Sequence, residues 1–203
     1  ELHDENIDIS INKFYINWVS RGALKLLHAL DSFSLDVSNF TCLDIGASTG
    51  GFTEVLLSKN VKKIYAVDVG SNQLSKKLLN NSKVINLQQT NAKSLNREII
   101  SDVIDIIVCD VSFISIKKVI KPALSLKLSN TLLIIALIKP QFEANRREVH
   151  KGGVITDPLI HERICNDYKE WFSVNCNMRV IDIIPSPIRR DKGNIEFLIY
   201  VKK

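Results

Sequence analysis

Residues 42–52 read Cys-Leu-Asp-Ile-Gly-Ala-Ser-Thr-Gly-Gly-Phe, and residues 64–68 read Ile-Tyr-Ala-Val-Asp. The first stretch is a glycine-rich loop between an apolar strand pattern and an apolar helix pattern, and the second ends a strand pattern on Asp68. Glycine lets the backbone approach a ligand, and a helix that begins after such a loop offers free N–H groups. The two stretches together predict a site for a nucleotide-like cofactor.

The glycine loop departs from two common phosphate-binding patterns. The dinucleotide fingerprint needs Gly-x-Gly-x-x-Gly, and Ser48 stands where the second glycine would let a pyrophosphate approach. The loop also lacks the Gly-Lys-Ser/Thr of a P-loop. An amino-acid tail plus adenosine fits better, with Asp68 accepting hydrogen bonds from two ribose hydroxyls, a layout typical of S-adenosylmethionine-dependent methyltransferases. The alternative for the loop alone is a tight turn without a ligand, and Asp68 argues against it.

Composition favours a single intracellular domain. The chain has 203 residues, 45% of them hydrophobic, which suits one α/β domain with one core. A formal net charge of +5 gives weak support for a nucleic-acid partner. Four scattered cysteines without a Cys-x-x-Cys pair indicate free thiols in a reducing cytoplasm, with neither zinc nor disulfides. The apolar run from Leu132 to Ile138 is too short to span a membrane, so we expect a cytoplasmic protein without stable membrane insertion.

Strand and helix patterns alternate along the chain, which predicts a largely parallel sheet with helices on both faces. We expect strands at 41–46, 62–69, 84–89, 104–111, 131–138, 178–185 and 194–202, and helices at 20–31 (capped by Ser20), 50–59, 71–80, 114–128 and 157–174. The turn-rich segment 186–193 allows the last two strands to form an antiparallel hairpin. The expected fold is α/β, a Rossmann-like class I methyltransferase with a seven-stranded, mostly parallel sheet. Residues 1–16 are expected to be a linker or disordered segment, and 17–203 the folded domain.

Four charged residues stand out against this apolar pattern. Asp110 and Lys139 each follow an apolar strand pattern and therefore lie at the same sheet edge as the glycine loop. Glu196 lies inside the last predicted strand, and Lys25 lies off the apolar stripe of the first helix. Each has an ordinary alternative, because a lysine can extend to water from a strand end and a glutamate or lysine can lie on a solvent face.

Seven segments, in order and covering nearly everything from residue 19 onward, resemble the hemolysin A (TlyA-type) family of ribosomal RNA ribose 2′-O-methyltransferases, within the larger FtsJ-like group. The segments are 19–26, 43–53, 66–70, 110–115, 138–143, 151–154 and 193–197. The resemblance implies S-adenosylmethionine as cofactor and ribosomal RNA or ribosomal subunits as partner. Full-length members also carry a small RNA-binding domain ahead of the methyltransferase domain, for which this chain has no room.

The resemblance also implies a catalytic set, since FtsJ-like enzymes use Lys-Asp-Lys-Glu, which corresponds here to Lys25, Asp110, Lys139 and Glu196. A ribose 2′-hydroxyl is a very weak acid, so its attack on a methyl group needs a base, for which Lys139 is the candidate. Lys25 is expected to orient the ribose or phosphate, and the two carboxylates to fix the lysines. No metal is expected, because the positively charged sulfur leaves as a neutral thioether.

Two further sets of residues complete the predicted site. We expect Asp68 at the ribose of the cofactor and Asn91 near its adenine. The residues expected along its methionine end are Gly46, Ala47, Ser48, Gly50 and Phe52. The full cofactor set is Asp44, Gly46, Ala47, Ser48, Gly50, Phe52, Asp68, Asn91 and Asp110. RNA contacts are expected from three basic clusters near the same sheet edge, although such clusters are often only solvated surface. They comprise Arg21, Arg146, Arg147, Lys151, Arg189, Arg190 and Lys192.

The sequence leaves three alternatives to ribose methylation. Base methylation fits less well, because Asp110-Val111-Ser112-Phe113 lacks the Asn/Asp-Pro-Pro-aromatic loop used on exocyclic amines, and neither Cys42 nor Cys109 follows a proline. The family name suggests a membrane-lytic protein, yet the sequence has no spanning segment and no long basic amphipathic helix. A non-catalytic ribosome-assembly factor would not need an intact Lys-Asp-Lys-Glu set.

Overall fold

The computed structural model describes residues 18–149, 152–188 and 193–203, so the predicted 1–16 segment lies outside the described residues. The strands are β1 (Thr41–Ile45), β2 (Lys63–Val67), β3 (Val84–Leu87), β4 (Ile104–Cys109), β5 (Leu128–Ile138), β6 (Arg179–Pro185) and β7 (Phe197–Lys202). The helices are α1 (Ala23–Ser32), α2 (Gly51–Ser58), α3 (Lys76–Leu79), α4 (Lys117–Ala123), α5 (Pro140–Glu143) and α6 (Pro158–Cys176), with a 3-10 turn at Ala92–Ser94.

All seven strands belong to one sheet, in the order β3-β2-β1-β4-β5-β7-β6. The strands from β3 to β5 pair in parallel, whereas β7 pairs antiparallel with both β5 and β6. The predicted α/β class, the mostly parallel seven-stranded sheet and the antiparallel last pair are therefore confirmed. Because β1, β2, β4 and β5 run the same way, their carboxyl ends meet at one edge of the sheet.

The central strands are apolar on both faces because helices cover both. Leu43, Ile107 and Ile134 contribute to a core on the side of α4 and α6. Their sequence neighbours, including Cys42 and Ile106, contribute to a second core on the side of α1 and α2. Continuous apolar runs are typical of parallel strands buried in this way. Polar residues that follow these strands lie at the carboxyl edge of the sheet. The candidate site is formed at this edge.

Several predicted element boundaries are wrong. The helix predicted at 71–80 is only α3, a single turn. The helix predicted at 114–128 ends at Ala123, where the backbone changes to tighter turns in which the N–H groups of Ser125 and Leu126 donate to carbonyls three residues earlier. The predicted strand 131–138 begins earlier, at Leu128, and pairs there with Ile104 across an irregular register.

The starts of the first helix and of the last strand also differ from the prediction, and both differences affect the site. Helix α1 begins at Ala23 with Gly22 as its N-cap, so Ser20 is not the cap; instead, the Ser20 carbonyl accepts the Ala23 N–H at 3.2 Å in a preceding turn. Strand β7 begins at Phe197 rather than 194. Glu196 therefore lies just before the strand, where its backbone carbonyl accepts the N–H of Ser186 at 2.8 Å.

Two glycines let the loop after β1 pass close to its neighbours. Gly46 has φ +84°, and a Cβ there would lie 2.7 Å from the carbonyl oxygen of Asp110. Gly50 has φ +101° as the N-cap of α2, and a Cβ there would collide with the side chains of Leu74 and Leu78. Any other residue at Gly50 would combine left-handed backbone strain with overpacking.

We predict that Gly50→Ala lowers the free energy of unfolding by about 3 kcal/mol, since a left-handed alanine and an overpacked contact each cost on the order of 1–2 kcal/mol. The matched control is Gly152→Ala, because Gly152 has φ +97° but no atom within 4 Å of its Cβ position. That variant should lose only about 1 kcal/mol. Urea unfolding measures both, and equal losses would show that the contact with α3 contributes nothing.

Candidate active site

Four charged side chains meet at the carboxyl edge of the sheet. Lys25 comes from α1, Asp110 follows β4, Lys139 follows β5, and Glu196 precedes β7. Lys139 Nζ lies 2.6 Å from Asp110 Oδ1, and Lys25 Nζ lies 3.4 Å from Asp110 Oδ2. Lys25 Nζ also lies 2.7 Å from Glu196 Oε2. The structure thus brings together all four residues of the predicted catalytic set, with Asp110 between the two lysines; we call them the charged cluster.

Burial excludes the ordinary alternatives for these residues. The side chains of Lys25, Asp110, Lys139 and Glu196 are 14%, 18%, 9% and 17% exposed. None of the four extends to bulk water, and Lys25 points into the site rather than away from α1. Two ammonium groups and two carboxylates balance in formal charge. Removing any one of them would leave a partly buried charge uncompensated, which is costly.

Lys139 is held from two sides. Its Nζ donates a hydrogen bond to Ser112 Oγ at 2.9 Å. Its contact with Asp110 Oδ1 is an ion pair without hydrogen-bond alignment. Ser112 was not among the predicted site residues, although its place two residues after Asp110 was the available signal. A lysine fixed by a hydroxyl and a carboxylate presents its nitrogen in a defined direction.

Three adjoining cavities surround the charged cluster. The Asp68 cavity, about 570 Å³, is lined by residues that include Asp68, Asn91 and Val111. The loop cavity, about 230 Å³, lies against the glycine loop. The Glu196 cavity, about 780 Å³, is lined by residues that include Arg21 and Glu196.

The cavities share lining residues, and two of these, Asp110 and Lys139, belong to the charged cluster. Asp110 lines both the Asp68 cavity and the loop cavity. Lys139 lines both the loop cavity and the Glu196 cavity, and Ser112 lines all three. The three cavities therefore adjoin one another, and we call them together the groove. The charged cluster lies where its two larger ends approach each other.

Most of the predicted cofactor residues face this groove. Asp68 accepts the N–H of Ser48 and of Gly70, each at 2.8 Å, and these two bonds leave lone pairs of the carboxylate free for a ligand. Asn91 lines the Asp68 cavity, while its side chain accepts the Lys93 N–H at 3.0 Å and caps the 3-10 turn. The remaining lining residues of the predicted set are Gly46, Ala47, Ser48, Phe52 and Asp110.

Two predicted cofactor residues, Gly50 and Asp44, are not among the described residues that line the three cavities. Gly50 shapes the loop through its positive φ. Asp44 is fully buried beneath the loop, where its Oδ2 accepts the hydroxyl of Thr53 at 2.6 Å and its Oδ1 has no partner among the described residues. Burial, with a smaller contribution from Asp110, raises the pKa of Asp44 from its ordinary 3.8 to about 7.

The predicted RNA contacts are only partly described. Arg21 is exposed and lines the Glu196 cavity. Arg146 and Arg147 are exposed after α5 and are not among the lining residues of that cavity. Lys151, Arg189, Arg190 and Lys192 lie outside the described residues.

Phe113 is a feature of the site that periodicity could not reveal. Its side chain is 90% exposed although it is a large apolar group, and its φ of +64° is rare for an aromatic residue. It lines both the Asp68 cavity and the Glu196 cavity, and its ring centroid lies 5.0 Å from that of Phe142. Strained backbone and an exposed aromatic at a cavity rim point to a ligand-binding role.

Comparison with known proteins identifies the family. The FtsJ-like methyltransferase family model matches residues 18–203. The chain belongs to this family. Hemolysin A of Brachyspira hyodysenteriae is 46% identical, with the match covering 97% of this chain and 80% of that protein. The 16S/23S rRNA (cytidine-2′-O)-methyltransferase TlyA of Mycobacterium tuberculosis is 41% identical, over 91% of this chain and 68% of that protein.

A solved structure agrees with this family assignment. A candidate hemolysin from Lactococcus lactis has a TM-score of 0.86 and 38% sequence identity, and the match covers 93% of this chain and 89% of that one. Membership of the methyltransferase family, together with the observed sheet order, confirms the predicted Rossmann-like methyltransferase fold and the predicted resemblance.

Among the described residues, no helix has both the length and the apolar character needed to cross a bilayer. Within the same residues, no group of three or more His, Cys, Asp or Glu side chains is arranged to hold a metal ion.

The raised pKa of Asp44 predicts a pH-dependent loss of stability. Because the folded state holds this proton more tightly than the unfolded chain, the stabilisation is fully present below about pH 4 and is lost as pH rises through about 7. The loss is on the order of 4 kcal/mol. Asp44→Asn cannot titrate, so its stability relative to the unmodified chain should improve across that range. Urea unfolding from pH 4 to 8 measures this, and parallel pH profiles for the two proteins would contradict it.

Proposed function

We propose that this protein transfers a methyl group from S-adenosylmethionine to a ribose 2′-hydroxyl of ribosomal RNA. The observation that carries the proposal is the charged cluster at the junction of the groove, with Lys139 facing both the loop cavity and the Glu196 cavity. The name of the Mycobacterium tuberculosis relative, an rRNA (cytidine-2′-O)-methyltransferase, supports this substrate class. Such a substrate places the protein with ribosomes in the cytoplasm.

The Asp68 cavity and the loop cavity fit the cofactor. The larger one has the size of an ordinary small-molecule site. Asp68 retains acceptor capacity for ribose hydroxyls, and Asn91 lies on the same cavity wall. The loop cavity, which Gly46, Ala47 and Phe52 line, would take the amino-acid portion. When bound, S-adenosylmethionine supplies an electrophilic methyl group on a positively charged sulfur.

The charged cluster would handle the proton and the alignment of the hydroxyl. Once the Lys139 ammonium has released a proton to solvent, its amine accepts the 2′-hydroxyl proton as the new carbon–oxygen bond forms, and the ammonium beside Asp110, 2.6 Å away, is restored. That ion pair is strongest once the proton has moved, so it stabilises the transition state more than the ground state. Lys25, which is anchored by Glu196, is placed to orient the ribose or its phosphate. Catalysis then consists mainly of alignment.

The Glu196 cavity suits a nucleotide of an RNA chain. Its lining combines two lysines and Arg21 with the aromatic rings of Phe113 and Phe142. Cations pair with phosphates, and an exposed ring offers a nucleobase a surface on which to stack. The other basic residues predicted for RNA are proposed to extend this surface. Phosphate contacts of this kind make binding sensitive to salt.

The test measures transfer of tritium from labelled S-adenosylmethionine to ribosomal subunits lacking the modification, in a single turnover, and release of dye from liposomes in parallel. Labelled RNA without dye release is the expected result. Cofactor binding without labelling would favour a non-catalytic assembly factor, and dye release without labelling would favour a membrane-lytic protein. Either of these outcomes would contradict the proposal.

The role of Lys139 predicts a specific pattern for two variants. Lys139→Ala should abolish transfer while S-adenosylmethionine affinity stays within about three-fold, because the lysine acts on the hydroxyl. Lys139→Arg keeps a positive charge beside Asp110 but cannot release its proton, so it should also be inactive. Tritium transfer and calorimetry measure both quantities, with exposed Lys118→Ala as the control. Substantial activity in Lys139→Arg would exclude the lysine as the base.

The strained backbone and exposed ring of Phe113 predict that its replacement by glycine raises stability and lowers activity. Phe113→Gly removes left-handed strain on the order of 1 kcal/mol, so its thermal midpoint should rise. It also removes the exposed ring, so the KM for RNA should increase by about ten-fold, equivalent to roughly 1.4 kcal/mol of stacking. Differential scanning calorimetry and steady-state transfer measure the two effects. A stabilised variant with unchanged KM would show that the ring does not bind RNA.

A further inference from the structure

The side chain of Asn194 joins two segments that are far apart in the sequence. Its Nδ2 donates to the carbonyl of Gly153 at 2.8 Å, and its Oδ1 accepts the N–H of Ile155 at 2.8 Å. The carboxamide therefore uses one donor and one acceptor to hold a single short stretch of backbone. Aspartate could not make both bonds, because an ionised carboxylate offers acceptors only.

His161 holds the same stretch from another direction. Its Nε2 lies 3.1 Å from the carbonyl oxygen of Ile155, and its side chain is buried. The His161 ring also packs edge-on against Phe197, with ring centroids 5.4 Å apart. The Ile155 peptide groups are thus bonded on both sides, through Asn194 and through His161.

These contacts converge on Glu196. Asn194 lies two residues before it and is bonded to residues 153 and 155 directly. Phe197 lies one residue after it and packs on His161, the residue that contacts the Ile155 carbonyl. The carboxylate of Glu196 in turn lies 2.7 Å from Lys25 Nζ. Glu196 lies just before β7, and its backbone is held on one side by the Ser186 N–H, which donates to its carbonyl at 2.8 Å. The contacts of Asn194 and Phe197 hold the chain before and after it, so they contribute to the position of the Glu196 side chain.

We propose that Asn194 is a positioning residue, which holds residues 153–155 against the approach to β7 and thereby sets Glu196 and, through it, Lys25. The inference rests on the proposed function, because it assigns Asn194 an effect on methyl transfer. Asn194 need not touch the reacting atoms for this effect. A displacement of about 1 Å at a catalytic group lowers a rate by up to about 100-fold.

The experiment is a double-mutant cycle on the single-turnover rate with Asn194→Ala, Glu196→Ala and the double variant. Asn194→Ala should lower the rate at saturating RNA by about ten-fold, while S-adenosylmethionine affinity and thermal midpoint change little. If Asn194 acts through Glu196, the double variant should be no slower than Glu196→Ala alone. An equal ten-fold loss in both backgrounds would overturn the proposal, and so would a loss confined to the KM for RNA.

Controls separate this inference from the proposed function. Absence of transfer by the unmodified chain would refute the proposed function, whereas normal transfer by Asn194→Ala beside an active unmodified chain would refute only the positioning role. Exposed Asn175→Ala on α6 is the matched control and should transfer at the unmodified rate. His161→Gln retains a donor for the Ile155 carbonyl and should be more active than His161→Ala. If Asn194→Ala fails to fold, the transfer rates of the two His161 variants test the proposal instead. A faster His161→Gln would support it, and equal rates for the two variants would overturn it.

Discussion

The carboxylate of Asp110 pairs with two ammonium groups at once, and the arrangement of the site depends on this interaction. Its two oxygens face Lys139 and Lys25 at 2.6 and 3.4 Å. Two partly buried lysines so close together would repel each other without an anion between them, and Glu196 supplies the second anion. The parallel sheet makes the arrangement feasible, because β4 and β5 end side by side and deliver Asp110 and Lys139 to the same edge.

The groove explains why the cluster must stand where it does. A methyl donor in the Asp68 and loop cavities and an RNA ribose in the Glu196 cavity would meet beside Lys139 and Ser112, which line both sides of that junction. As the proposed base, Lys139 would stand where the proton has to be taken up, and Asp110 next to it would favour the protonated product. Gly46 contributes by letting the loop lie directly against the end of β4. The close packing of backbone segments at this one sheet edge therefore determines where the proposed catalytic groups lie.

The sequence could predict the sheet and the charged cluster because both depend on local patterns. Apolar runs mark buried strands, and a charged residue directly after such a run must lie at the sheet edge. The resemblance added Lys25 and Glu196 to the set, although they lie on distant elements; that these two pair with each other is seen only in the structure. The extent of α3, the cap at Gly22, the strain at Phe113 and the bridge made by Asn194 arise from tertiary contacts between distant segments. Local propensity carries no signal for such contacts, so only the folded chain reveals them.

The most direct test of the central claim is the chemical position of the transferred methyl group. Alkaline hydrolysis cleaves RNA through the free 2′-hydroxyl, so a 2′-O-methyl group protects the adjacent phosphodiester bond. Ribosomal RNA labelled by this protein with tritiated S-adenosylmethionine should therefore release its label as an alkali-stable dinucleotide. If the label instead appears entirely in mononucleotides, the methyl group is on a base. The assignment of Lys139 and Asp110 to a ribose hydroxyl would then be wrong.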